Sequence, residues 1–160
     1  MSDQSEPPNR IDVSIRRAGL EDIDRVAPLF DAYRQFYKQP PDPELARAFL
    51  SERLRFDQSV VFLALDSANS PLGFTQLYPS FSSGLARPIF ILNDLFVVPA
   101  ARRQNVGRKL LQAAAEFGKQ SGAARLALST ALDNMPAQAL YELAGWRRDN
   151  GFCTYTLPLE

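Results

Sequence analysis

The amino-acid sequence predicts a mixed α/β (α+β) fold built on one sheet, and three observations carry that expectation. The chain has 160 residues, 46% hydrophobic and 11% aromatic, enough for one compact core and hardly enough for two. Hydrophobic spacing switches between period two and period 3.6 in the order β-αα-β-β-β-α-β-α-β-β, without an internal repeat. The longest apolar stretch, residues 89–98, runs into a basic loop and then an amphipathic helix. One domain is expected over residues 11–160, after a polar arm at residues 1–10 that carries Pro7 and Pro8.

Each element has its own signal. Residues 13–17 (VSIRR) alternate as a half-buried strand does, and Gly19 ends them. Ile23, Val26, Ala27, Phe30, Tyr33 and Tyr37 recur at helical steps, with Pro28 expected to kink that helix or split it. Residues 44–54 read as a second helix with Leu45, Phe49 and either Ala48 or Leu54 turned inward. The run VVFLAL at residues 60–65 reads as a strand buried on both faces, and GFTQLY at residues 73–78 as the next strand. Residues 79–88, bounded by prolines and rich in serine, are expected to form a mobile loop. Residues 89–98 make the following strand, although Asn93 and Asp94 sit in its middle, where a core strand would be apolar. Strict alternation would send those two side chains to opposite faces. A helix over residues 106–120 has Val106, Leu110, Leu111, Ala114 and Phe117 on one face, and Gly122 closes it. Residues 125–130 form a strand, residues 136–144 a short helix between Pro136 and Gly145, and residues 146–148 and 152–157 two last strands.

Composition removes several classes of function. Eighteen basic and 18 acidic residues give no net charge, so no basic excess exists to bind nucleic acid. No apolar run is long enough to span a membrane, and the start MSDQSEPPNR lacks the apolar core of a signal peptide. A single cysteine, Cys153, excludes an intramolecular disulfide, and a reducing cytoplasm is the expected compartment. Histidine is absent, which removes histidine-based triads and most zinc sites, so no metal is expected and proton chemistry falls to Tyr, Asp, Glu, Cys or water.

The segment that carries chemistry is the strand–loop–helix. Helix amides at an N-terminus have no internal partners and carry roughly half a positive charge, so a phosphate can accept from them. The loop Arg102, Arg103, Gln104, Asn105, Val106, Gly107 leads into that helix, where Arg108 and Lys109 add charge. Neither GxxxxGK followed by Ser or Thr nor GxGxxG is present, so ordinary nucleotide-binding loops fit poorly.

The stretch LNDLFVVPAARRQNVGRKLLQAA resembles the central motif of the GNAT superfamily of N-acetyltransferases. In that motif glutamine or arginine is followed by two residues, glycine, one residue, and glycine or alanine. Arg102 fills the first position and Gly107 the last, while Asn105 stands where the family has glycine. Downstream, ALDNMPAQALYELAGW resembles the second signature, an asparagine, a spacer, LYE and a Gly-aromatic pair. The closest flavour is that of histone and polyamine acetyltransferases.

The resemblance implies a twisted mixed sheet of about seven strands, splayed into a V between the fourth and fifth, with about four helices. It implies acetyl-CoA as cosubstrate, with pantetheine along the backbone of Leu95, Phe96, Val97 and Val98 and pyrophosphate on the amides of Arg103 to Arg108. Asn134 matches the residue that contacts the cofactor arm, and Tyr141 the proton donor to the departing thiolate. Asn93 takes the place of a glutamate that helps to deprotonate the amine. It can orient a water but is no base, which leaves Asp94, Tyr78 or solvent. Tyr33 and Tyr37 with Tyr78 are placed to line a pocket for a primary amine on a small, polyamine-like or peptide acceptor. Glycine at position 105 would permit positive φ, a region that asparagine also enters readily, so cofactor affinity is the property this departure touches. The competing reading is a catalytically weak acyl-CoA-binding or regulatory module on the same fold. Homodimers through the terminal strands are common in the family, and the sequence leaves the oligomeric state open.

Overall fold

The computed structural model describes residues 10–159, so the arm expected at residues 1–10 lies almost wholly outside the described residues. The chain divides into two compact units after Ser129.

The first unit holds a five-stranded sheet in the spatial order β1-β2-β3-β4-β5. Its elements are β1 (Ser14–Ala18), a 3₁₀ turn (Leu20–Asp22), α1 (Ile23–Phe36), α2 (Pro43–Arg55), β2 (Val60–Leu65), β3 (Pro71–Ser82), β4 (Arg87–Val97), a second 3₁₀ turn (Pro99–Ala101), α3 (Val106–Gln120) and β5 (Leu126–Ala127). The first four strands are antiparallel neighbours, and β5 runs parallel to β4. The second unit contains α4 (Met135–Leu143). Among the described residues no helix is long and apolar enough to cross a membrane.

Helices cover both faces of the sheet. On one face Val61, Leu63, Leu65, Phe74 and Phe96 pack with Val26, Ala27, Leu29 and Phe30 of α1 and Ala46 and Leu50 of α2. On the other, Phe117 of α3 lies edge-on to Phe62 and Phe90, with centroids 5.9 and 5.2 Å apart. β2 is buried at every position, as a strand covered on both faces must be.

Several expectations change. Pro28 lies inside a continuous α1 and does not split it, because the face formed by Val26, Ala27, Leu29 and Phe30 is buried and holds the helix to the core. In α2, Phe49 and Leu54 pack against the core as expected, while the fully buried positions are Ala46 and Leu50 and the expected Leu45 is exposed. The expected loop over residues 79–88 is mostly hairpin, with Pro79 opposite Phe90 and Pro88 opposite Phe81. Both prolines fit because Phe90 donates to Arg125 O, and Pro88 O accepts from Ala124, on the β5 side. Each pair is therefore a non-hydrogen-bonded one in the β3–β4 ladder, where a missing amide costs nothing. Of the strand expected at residues 125–130 only Leu126–Ala127 pairs, and residues 146–148 and 152–157 form no strand, so about seven strands become five among the described residues.

One ion pair fastens β1 to the helix layer. Asp22 is 1% exposed and accepts from Arg16 Nη1 and Nη2 at 2.7 and 2.5 Å and from the Gly19 amide at 3.0 Å. The Arg16 bonds hold its carboxyl below the usual range, against the opposing effect of burial. A depressed carboxyl contributes stability that is complete above its unfolded value and is lost as pH falls toward the folded one. We expect Asp22→Asn to lose about 1.5 kcal/mol at neutral pH, the lower end for a charged hydrogen bond because Arg16 is 43% exposed and screened. In denaturant titrations at several pH values, the gap from the parent protein closes below about pH 4.

Candidate active site

The polar interruption in β4 is a β-bulge. Leu77 pairs with Leu92 and Gln76 with Asp94, so Asn93 is an extra residue without a partner in β3. The extra residue reverses the parity of the strand. Before it, Phe90 faces α3, whereas after it Phe96 faces α1 and α2, although both numbers are even. Asp94 shares the face of Phe96.

Asp94 is 1% exposed, and three groups surround its carboxylate. Asn93 Nδ2 donates to Oδ1 at 2.9 Å, and Gln76 Nε2 donates to Oδ2. The Tyr33 hydroxyl, from α1, donates to the Asn93 carbonyl at 3.0 Å and lies close enough to Asp94 to favour its charged form. Burial pushes the Asp94 pKa up, and the bonds from Asn93, Gln76 and Tyr33 oppose it. The expectation that Asn93 and Asp94 point to opposite faces is thus corrected: the bulge lets the two side chains meet. Tyr78 follows Gln76 along β3, and burial, reinforced by the Asp94 charge, pushes its hydroxyl up to about 12. Tyr78 therefore keeps its proton near neutrality. Tyr37 stacks obliquely on Tyr33, centroids 5.0 Å apart, and is 43% exposed. The structure so brings together Tyr33, Tyr37, Tyr78, Asn93 and Asp94. Gln76 was missed, although its polar side chain in the middle of GFTQLY gave the same signal as Asn93 and Asp94.

The opposite edge of β4 is open. Pairing with β5 covers only Phe90 and Ile91, and no strand among the described residues pairs with β4 beyond them. The Val98 amide donates to Leu72 O at 2.9 Å on the β3 side, so by alternation the backbone groups of Leu95 and Val97 turn to the open edge. Two groups expected to meet a ligand are already engaged: that Val98 amide, and the Val97 carbonyl, which accepts from Arg102 Nε at 3.1 Å. Gly73 supports this edge from behind, since a Cβ there would lie 2.5 Å from Phe96 O.

At the strand-to-helix junction, Asn105 adopts φ 64° and ψ 10°, the left-handed conformation that a glycine would supply. Arg103 also has positive φ, at 63°. Asn105 caps α3 without a side-chain bond, which leaves the first-turn amides of Val106, Gly107 and Arg108 unclaimed by it. Neither Arg103 nor Arg108 has a side-chain partner among the described residues. Two neighbours are committed elsewhere: Gln104 Oε1 accepts from the Ile11 amide at 3.0 Å, and Lys109 Nζ donates to Val13 O at 2.9 Å, both holding the start of β1.

In the second unit, Asn134 is the N-cap of α4, its side chain accepting from the Ala137 amide at 3.4 Å. Tyr141 lies on that helix, half-buried, its ring centroid 6.1 Å from that of Trp146.

A bulged strand beside an open backbone edge, followed by a left-handed loop and an uncapped helix, invites comparison with known proteins. The model of the acetyltransferase (GNAT) family matches residues 25–146. The chain belongs to the GNAT family of acetyltransferases. This GNAT chain is 46% identical over 145 residues to the uncharacterized N-acetyltransferase YhfO of Bacillus subtilis, covering 91% of this chain and 97% of that one. It is 38% identical over 95 residues to a probable acetyltransferase of Haemophilus influenzae, covering 59% of this chain and 65% of that protein. A crystal structure of a probable acetyltransferase superposes with a TM-score of 0.87 at 47% identity, over 92% of this chain and 98% of that one. An aminoglycoside N-acetyltransferase crystallised with CoA shares the fold, at TM-score 0.78 and 19% identity over 95% of this chain and 99% of that one.

The left-handed backbone at position 105 sets a test. Asn105→Gly should unfold within about 1 kcal/mol of the parent protein, while Asn105→Val should lose about 1–2 kcal/mol because a branched Cβ collides in that conformation. Denaturant unfolding measures both. Equal losses would show that the asparagine side chain, and not the backbone, holds the loop.

Proposed function

We propose that this acetyltransferase moves the acetyl group of acetyl-CoA to a primary amine on a small molecule or peptide, by direct attack of the amine on the thioester. The observation that carries this reading is the bulge at Asn93, which sets a buried carboxylate, Asp94, next to a strand edge with unpaired backbone groups. Residues 11–160 act together as one domain in this reading, in the cytoplasm.

The residues present fit CoA. The open edge at Leu95 and Val97 suits an amide-bearing pantetheine arm, which can bond there as an added strand would. The unclaimed amides after Asn105, with Arg103 and Arg108 lacking side-chain partners among the described residues, suit a pyrophosphate. Bound there, acetyl-CoA supplies the activated acetyl group. Asn134 and Tyr141 come to the cofactor through their match with the family's second signature. An amine acceptor is supported by more distant relatives named as aminoglycoside N-acetyltransferases, one of them from Stenotrophomonas maltophilia at 25% identity over 123 residues.

In this reading Asp94 takes the proton of the acceptor amine, directly or through a water that Asn93 orients. Its raised pKa suits the role, because a carboxylate shifted toward the working pH is a stronger base. Tyr33, Tyr37 and Tyr78 form the wall that receives the amine. The Tyr141 hydroxyl delivers a proton to the departing thiolate, and a substitution that removes only this hydroxyl leaves the ring in place to pack.

Two measurements test the proposal. Thiol release over a panel of amines, with CoA affinity measured by calorimetry, separates an enzyme from an acyl-CoA sensor, which binds CoA and releases none. Tyr141→Phe should lower turnover at least about tenfold, within the 10²–10⁴-fold reach of general-acid assistance, while CoA affinity stays within about twofold. Unchanged turnover with chemistry limiting the rate would return Tyr141 to a packing role.

A further inference from the structure

Gln76 is the one group at the bulge whose position stability alone does not explain. Its side chain is 0% exposed in the middle of β3, where its strand neighbours Phe74 and Leu77 are also fully buried. Its Nε2 donates to Asp94 Oδ2, while its Oε1 is buried with no hydrogen-bond partner among the described residues. A leucine or methionine there would fill the same space without burying an amide half-satisfied, and an unsatisfied buried acceptor carries a desolvation cost. With Asp94 charged, the amide orientation follows from its partner: turned over, Oε1 would face a carboxylate oxygen with no proton between them. The satisfied half of Gln76 is therefore the half directed at Asp94.

Together with Asn93 Nδ2 on Oδ1, Gln76 gives each carboxylate oxygen a neutral amide donor. The two donors come from different strands and grip the carboxylate from both sides. We propose that Gln76 is a positioning residue of the acetyl-transfer site, one that fixes the orientation of the Asp94 carboxylate and holds it charged so that it can accept the proton of the incoming amine. The inference rests on Asp94 being the base in the proposed reaction.

Burial alone would drive Asp94 to its neutral form, and a protonated Asp94 could not act as a base. Hydrogen bonds to the charged form oppose that, and each donor withdrawn moves the balance toward the acid. The other groups facing Asp94 are Tyr33 from α1 and Tyr78 from β3, with Arg53 of α2 acting on Tyr78. Tyr78 is pushed up to about 12, so it stays neutral over the range in which Asp94 titrates. Neither oxygen of the carboxylate then depends on a group that changes charge near neutrality, and the two amides act with Tyr33 to oppose the effect of burial.

The test follows the Asp94 carboxyl itself. Full-length protein labelled with ¹³C at aspartate is titrated with pH, the Asp94 signal being assigned by its loss in Asp94→Asn. In Gln76→Met, which keeps the volume and removes the donor, the Asp94 midpoint should rise by about one pH unit, tenfold in proton affinity. The acid limb of kcat/KM should rise with it, while CoA affinity stays within about threefold of the parent protein. A merely structural role would leave the midpoint where it was, so an unmoved midpoint in folded Gln76→Met overturns the inference. Should Gln76→Met not fold, Gln76→Asn, which withdraws the donor but keeps an amide, is read in the same way. An acid limb that survives in Asp94→Asn would instead remove Asp94 from the reaction and overturn the reading on which the inference rests, whatever the titration shows.

Discussion

Asn93, the extra residue in β4, decides which layer every later side chain of that strand meets. Side chains alternate along a strand with period two, so one inserted residue exchanges the faces of all that follow. Without it, Asp94 and Phe96 would point at α3, and the aromatic core of Phe30, Phe74 and Phe96 would lose a member. With it, Asp94 faces the helix pair α1–α2, and the backbone groups of Leu95 and Val97 turn to the edge that β5 leaves uncovered. The inward turn of Asp94 and the presentation of Leu95 and Val97 at the open edge are two results of the same insertion. Both are held in place by Thr75, fully buried, whose hydroxyl donates to the Asp94 carbonyl at 2.8 Å from the neighbouring strand.

The far end of β4 is made rigid by a different means. Arg102 bonds back to the Val97 carbonyl, while Gln104 and Lys109 reach Ile11 and Val13 at the opposite side of the sheet. Charged and polar side chains that the sequence offers as ligands for an anion thus serve partly as fastenings. In the proposed reading, binding at the junction rests more on backbone than on charge: amides at the start of α3, two left-handed residues, and the guanidinium groups of Arg103 and Arg108. A loop fixed in this way loses little conformational entropy when a ligand arrives.

Much of this was legible in the sequence, and the remainder was hidden for specific reasons. The apolar strand, basic loop and amphipathic helix are a long periodic signal, and they appear as β4, the junction and α3 at the expected positions. Asn93 and Asp94 stood out because polarity in a core strand needs a cause. That the cause is a bulge could not be read, since register depends on the partner strand and not on local pattern. The hairpin through Pro79 and Pro88 was hidden because a proline is tolerated only at non-hydrogen-bonded positions, which again the partner defines. Gln76 was legible in kind but not in role, its partner being 18 residues away along the chain. Asn105 was the reverse case: the local preference of asparagine for the left-handed region anticipated φ 64° without any knowledge of the fold.

The joint placement of the open edge and the proposed anion-binding junction is tested most directly by amide chemical shifts of the ¹⁵N-labelled protein during titration with CoA. Saturable binding is expected, with the largest shifts at the amides of Leu95 and Val97 and from Arg103 to Arg108, and little change at Val98, whose amide is already bonded to Leu72. Saturable binding that leaves Leu95 and Val97 unmoved, or no binding at all, would contradict it.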